Sequence, residues 1–271
     1  ELGYKGTHFD GRLMLNMALY YYDYQNYQDH IETWESESGD FALPDITFVG
    51  PDGTEQSLNP PAGRGPVSIT TNIPSAHNNG FEVDAVYLLT DGLTVGGNMS
   101  YTQSQYDARY TFFNQDDPRY PRKILGGDLN QDPCDMEESI RVLYCIEVDG
   151  LDLTGIPKWK ATGWASYKWN MDRGGLTVYG ALAYTGEYST NEFNRPWDWV
   201  PARERLDLRA TYRADTGKWQ ASIFIDNVMD KTYVRNSDLD SRLTGYGGNW
   251  SNRVIALTPR YAGVSFTYNY R

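Results

Sequence analysis

The sequence predicts an all-β protein, an antiparallel transmembrane β-barrel, on three observations. Apolar and polar residues alternate with period two through segment after segment, the pattern of strands with two unlike faces. The connections between those segments are alternately short and long. The third observation is the aromatic content, 22 Tyr and 8 Trp in 271 residues, far more than a soluble core uses. Both side chains favour a place with one wet end and one apolar end, such as a bilayer interface or a carbohydrate site.

Bulk composition narrows the classes. A net charge of −12 and a pI near 4.7 argue against a nucleic-acid partner, which requires a basic patch. No apolar run approaches the ~18 residues of a membrane helix. Barrel strands alternate, so a mean hydropathy of −0.61 is compatible with a barrel or a soluble protein. The chain opens at Glu1 without an initiator Met or signal peptide, and reads as a processed product or a fragment.

Taken in order, the strands begin with a partial one at residues 1–7. Leu13, Leu15, Met17, Leu19 and Tyr21 then alternate with polar neighbours and run on into "YYYDYQNY". Phe81, Val83, Ala85 and Tyr87 follow, then Leu93, Val95, Gly97, Met99 and Tyr101. Trp159, Ala161, Gly163, Ala165, Tyr167 and Trp169 face away from Lys158, Lys160 and Lys168, and Leu176, Val178, Gly180, Leu182 and Tyr184 come next. In "RERLDLRATYRADTGKWQASIFIDN" (203–227) Leu206, Leu208, Ala210 and Tyr212 oppose Arg203, Arg205, Asp207, Arg209 and Arg213. After Asp215-Thr216-Gly217 the phase inverts, with Trp219, Ala221, Ile223 and Ile225 on the apolar side. Ala262, Val264, Phe266, Tyr268 and Tyr270 form the last strand. These make roughly nine strands, each near the ~9–11 residues of a tilted membrane strand.

Tight turns fall at Asp10-Gly11, Asp91-Gly92, 171–175 and 214–217, and long polar loops at about 28–78, 107–156, 188–202 and 229–259. Membrane barrels place short turns on the periplasmic side and long loops outside; loops this long are foreign to a compact soluble domain. Trp159 and Trp169 lie ten residues apart on one face, about 25 Å for a strand tilted by roughly 40°, which matches the apolar band between two aromatic girdles. A charged second face suits a polar barrel interior. Nine strands do not match the even counts of single-chain bacterial barrels, so either a strand hides in a loop or most of the barrel lies upstream of Glu1.

Several residues invite chemical readings. Cys134 and Cys145 read as a disulfide, ahead of two free thiols or a metal site, because no His or further Cys accompanies them. Asp128, Asn130 and Asp132 have the 1-3-5 spacing of a Ca²⁺ loop, yet Pro133 and Ser139 replace its turn Gly and closing Glu. A solvated acidic loop tip is the plainer reading, and no other cofactor is indicated. Trp197, Trp199, Tyr246 and Trp250, with Arg195, Arg235 and Arg242 nearby, could stack on and grip a ligand, or simply pack as girdle and loop. The Arg203, Arg205, Asp207, Arg209 and Arg213 stripe reads as an interior wall. His8, His30 and His77 are scattered, and no catalytic constellation stands out, so no enzyme is expected.

Four stretches in order carry a family resemblance: "NNGFEVDAVY" (78–87), "GIPKWKATGWASYKW" (155–169), "IDNVMDKTYV" (225–234) with Asn227, Asp230 and Tyr233, and "TPRYAGVSFTYNY" (258–270). Together they resemble the C-terminal part of a TonB-dependent outer-membrane receptor, over essentially the whole chain. The resemblance implies a barrel of about 22 strands in the outer membrane of a Gram-negative bacterium, of which residues 1–271 are one part. It implies an N-terminal plug and earlier strands absent from this chain, and TonB as the driving partner. Lipid and lipopolysaccharide would lie outside, and the cargo would be an iron–siderophore chelate, cobalamin or another scarce nutrient. The five-residue stripe on 203–213 would then face the plug or the solute path. The family's terminal aromatic is missing after Tyr270-Arg271, which predicts that the native chain runs one residue further. Two alternatives are a passive porin-like or adhesin barrel, and a soluble secreted carbohydrate-binding β-protein.

Overall fold

The computed structural model describes residues 1–35, 46–49, 55–58, 65–108, 111–113, 145–192, 194–196, 198–240 and 251–270. Its strands are β1 (Leu2–His8), β2 (Leu13–Glu35), β3 (Ile46–Val49), β4 (Glu55–Leu58), β5 (Gly65–Leu88), β6 (Leu93–Tyr106), β7 (Thr111–Phe113), β8 (Cys145–Glu147) and β9 (Trp159–Met171). They continue as β10 (Gly174–Thr185), β11 (Tyr188–Ser189), β12 (Trp199–Val200), β13 (Arg203–Ala214), β14 (Trp219–Asp226), β15 (Val234–Asp240), β16 (Ser251–Ala256) and β17 (Tyr261–Tyr268). Nine of them form one sheet in the order β1-β2-β5-β6-β9-β10-β13-β14-β17, and the rest pair as four small hairpins. All neighbours in the large sheet are antiparallel. Each long connection carries one of the hairpins, and every tight turn lies at the opposite end of the sheet. Closure between β1 and β17 is not seen among the described residues.

The turn chemistry fits that end. At the first turn Asp10 and Gly11 both take positive φ, 54° and 85°, and the Arg12 N–H donates to the Phe9 carbonyl at 3.1 Å. This is the primed geometry whose twist matches paired strands.

Cross-strand register keeps the two faces in phase from strand to strand. Leu15, Ala85, Gly97, Gly163, Leu182 and Leu206 make one continuous row. One residue over, Asn16, Asp84, Asn98, Thr162, Ala183 and Arg205 make the row behind it. Among the described residues nothing covers the apolar face: Ile223 is 61% exposed and Val264 81%. Aromatics close this face at both ends. Phe81, Tyr101 and Trp159 meet at 4.8–6.0 Å toward the long connections. Tyr167–Trp169 (4.2 Å) and Tyr212–Trp219–Phe266 (5.2 and 6.0 Å) lie toward the tight turns. An apolar face this wide, banded by amphipathic rings, is built for a hydrocarbon solvent.

The packed core is small and sits off the sheet's centre, where Ile73, Ala76 and Tyr106 meet Val148 and Leu153 of the β8–β9 connection. Asn26 adopts φ 56° beside it, while the register runs on unbroken from Gln25↔Ser75 to Tyr27↔Ile73. Strict alternation would put Tyr24 and Tyr27 on opposite faces, yet their rings meet at 5.9 Å and Tyr27 meets Tyr106 at 6.2 Å. The left-handed residue between them breaks the alternation without changing the register, and Tyr27 packs on the core. The expected loop at 28–78 is also shorter than its sequence suggests. β2 and β5 stay paired from Leu13↔Tyr87 out to Glu35↔Gly65, because two polar strands that satisfy each other's backbone need no apolar face to continue.

Candidate functional site

Two surfaces carry chemistry: the polar face of β9–β17, and a shelf of connections over the sheet's far end. On the polar face, β13 puts Arg203, Arg205, Asp207, Arg209 and Arg213 in one line, as the alternation predicts. They are not equivalent. Arg205 Nε donates to Asp207 Oδ1 at 2.8 Å, and its terminal nitrogen lies 3.6 Å from Asp226 on β14. Arg213 donates to Gln220 Oε1 at 3.1 Å. Arg209 lies 5.4 Å from the Phe224 ring centroid, a cation–π contact.

Aromatics also occupy this face, which period-two reading missed. Trp164 lies 6.1 Å from Tyr179, and Phe224 lies 5.6 Å from Tyr261. Both large rings are seated on glycine: a Cβ at Gly96 would come within 2.5 Å of Trp164, and one at Gly263 within 2.6 Å of Phe224. Glycines at two polar-face positions were the available signal.

The shelf is built from short segments tied across long sequence separations. Asp152 accepts Lys158 Nζ at 2.9 Å and Gln105 Nε2 at 3.3 Å. Its backbone pairs with the Asn194 amide, which donates to the Asp152 carbonyl (2.9 Å) and accepts its N–H (3.1 Å). Trp199 Nε1 donates to the Asn194 carbonyl at 3.1 Å. Arg195 is buried and grips Asp198 through Nε (2.8 Å), a terminal nitrogen (3.0 Å) and its backbone N–H (2.9 Å). Tyr106 donates to Asp29 across the core. Farther out, His77 Nδ1 lies 2.7 Å from Asp107, with Tyr21 stacked on its ring at 6.2 Å.

Glu192 lies in this shelf with only 9% of its surface exposed. Burial pushes its carboxyl up to about 7, its own backbone amide opposes that, Asp29 and Asp198 add to the rise, and Arg195 offsets part of it. A carboxylic acid held near neutrality at a loop base is a switchable group.

The sequence-predicted ligand residues fare unequally. Trp199 is half-buried and used as a brace, and Arg195, expected beside it as a ligand grip, is instead spent on Asp198. Arg235 stands in β15 and Cys145 in β8, but their side chains lie outside the described residues. So do Trp197, Tyr246, Trp250, Cys134, Asp128, Asn130 and Asp132.

A family model, TonB dependent receptor-like, beta-barrel, matches residues 1–228. Among solved structures, the ferric yersiniabactin uptake receptor FyuA from Yersinia pestis superposes with a TM-score of 0.60 at 12% identity, over 97% of this chain and 28% of that one. The siderophore receptor PiuA from Acinetobacter baumannii gives 0.56 at 17%, over 97% and 27%. The copper transporter OprC gives 0.56 at 14%, over 98% and 30%. At these identities the likeness is one of fold. The chain spans little more than a quarter of the first two proteins. No curated protein matches it in sequence.

Proposed function

The chain belongs to the TonB-dependent receptor β-barrel family, and from that premise we propose that it is a section of barrel wall in an energised outer-membrane importer of a Gram-negative cell. The cargo is a scarce nutrient of the iron–siderophore class. One observation carries the reading: a nine-stranded sheet of family type has a bare apolar face on one side and an Arg-, Lys- and aromatic-lined face on the other. The apolar face takes lipid, with lipopolysaccharide around the long-connection rim. The polar face takes the protein's own N-terminal plug and the solute path, and TonB acts through that plug. A soluble carbohydrate-binding protein would leave Ile223 and Val264 in water, which the hydrophobic effect opposes.

The fold alone does not choose a cargo, since FyuA and PiuA are iron-chelate receptors by name and OprC a copper transporter. The chemical argument for a ferric chelate is the polar face, where guanidinium groups and flat rings alternate. Such chelates are large, often anionic and often aromatic, and they match that surface. The test is uptake of radiolabelled ferric catecholate, hydroxamate and citrate chelates by cells expressing the full-length protein, with and without TonB. Uptake that needs TonB supports the proposal. Uptake that ignores TonB would point to a passive barrel, and none for any of the three would remove the iron-chelate reading.

A further inference from the structure

The turn that follows β14 has a geometry that the transport reading leaves unused. Asn227 is buried to 1% exposure in the left-handed region at φ 52°, a conformation Asn tolerates better than other side-chain-bearing residues. Its side chain closes the turn from both sides: Nδ2 donates to the Lys231 carbonyl at 2.9 Å, and Oδ1 accepts the Lys231 N–H at 3.3 Å. Its backbone N–H donates at 2.8 Å to Asp207 Oδ1, the same oxygen that takes Arg205 Nε. The next residue, Val228, donates its N–H to the Leu206 carbonyl at 2.8 Å. Both anchors belong to β13, so the turn is stitched to a strand that is not its own.

The other side of the same connection is tied as well. Asp230, again left-handed at φ 52°, accepts the Arg260 backbone N–H at 3.2 Å and its guanidinium at 3.1 Å. The Leu257 N–H donates to the Tyr233 carbonyl at 2.8 Å, and β15 and β16 zip together beyond that point. Tyr233 is itself buried, and its Arg205 neighbour binds Asp207 and Asp226. An exposed pair such as Asp230–Arg260 contributes little alone. A buried Asn with all three groups engaged contributes more, because each partner is left unsatisfied if it is removed.

We propose that Asn227 and Asp207 are positioning residues that clasp the 227–233 turn to the polar face of β13, so that this turn stands as one fixed side of the cargo entrance. The inference rests on the importer reading for its functional half only. Asp207 is the joint: one carboxylate oxygen holds both the wall arginine and the connection's first residue.

The test uses the full-length protein in outer membranes and in detergent, with Asp207→Ala, Asn227→Ala and Asn227→Gly, and Thr211→Ala on the same face as control. Asn227→Gly keeps the backbone conformation while deleting the side-chain bonds, so it separates the clasp from backbone strain. Amide exchange at residues 228–233 is expected to quicken by roughly tenfold in all three, the factor for one charge-assisted or buried hydrogen bond, while peptides of β9 and β10 stay unchanged. Uptake of whichever ferric chelate the wild type carries in the panel above should then show a raised KM with an unchanged maximal rate. Unchanged exchange at 228–233 in Asp207→Ala and Asn227→Gly overturns the clasp. Faster exchange with an unchanged KM overturns the entrance role. If no chelate is carried, the iron-chelate reading fails while the exchange result still decides the clasp.

Discussion

Glu192→Gln offers the sharpest test of the shelf over the sheet. The carboxyl rises from 4.5 to about 7 when the 186–202 segment is seated, chiefly through burial. The seated state therefore prefers the protonated acid. Its contribution to stability is fully present below about pH 4.5 and is lost as pH rises through about 7. At 1.36 kcal/mol per unit, the loss comes to about 3 kcal/mol above that range, or a factor of about 300 in the opening equilibrium. Gln keeps the size and hydrogen-bonding capacity of the neutral acid and cannot ionise. Hydrogen exchange of the detergent-solubilised full-length protein between about pH 5 and pH 8, corrected for intrinsic base catalysis, reads this directly. Wild-type peptides from 186–202 should lose protection with rising pH, while the variant's protection stays flat and exceeds the wild type's at the alkaline end. A wild-type profile already flat, or a variant that follows the wild type, would refute the reasoning. Asp29, Asp198 and Arg195 are charges that face Glu192.

Arg195→Ala strands the Asp198 carboxylate in a buried site and should cost that segment about 3–5 kcal/mol, seen as protease nicking within 186–202 while the sheet stays resistant. Ile223→Arg on the apolar face should cost about 2–4 kcal/mol near the bilayer midplane and Ser222→Arg on the polar face far less; equal losses in denaturant titrations of refolded protein would invert the assignment of faces. Cys134 and Cys145 should be found joined by mass spectrometry of unreduced protein, and reduction should destabilise their loop by about 2–3 kcal/mol in the chain-entropy account.

The sheet was legible because its physics is periodic. Once Leu206 and Leu208 are assigned to one face, Arg205, Asp207 and Arg209 must take the other, and antiparallel pairing carries the assignment across all nine strands. The middle of the apolar face follows that rule, since every residue there meets the same solvent. The polar face is freer, and Trp164 and Phe224 could settle there because Gly96 and Gly263 leave room beneath their rings. At Asn26 the alternation itself breaks, as Tyr24 and Tyr27 meet across a left-handed residue although the register does not shift. The shelf was not legible at all. Asp152 finds Asn194 across 42 residues and Tyr106 finds Asp29 across 77, and no local pattern encodes such pairings. Asn227 and Asp230 lay between these cases: the motif was visible in sequence, but only the left-handed turns and the reach back to Asp207 explain why those residues stand there.

Charge illustrates how an average conceals what a solute meets. The chain is acidic by 12 charges, yet Lys158, Lys160, Lys168 and the arginines at 203, 205, 209 and 213 all fall on polar-face positions of β9 and β13 or at their margin. Asp207 and Asp226 offset part of this, leaving the sector basic. The acidic excess is therefore carried elsewhere, much of it in the long connections, where 116–117, 128, 132, 135 and 137–138 alone hold seven carboxylates. At physiological ionic strength a charge is felt over about 8 Å, so a solute along β9–β13 would sense chiefly the charges of that face. An acidic composition argues against nucleic acid as a partner, but it is no argument against an anionic cargo along the wall.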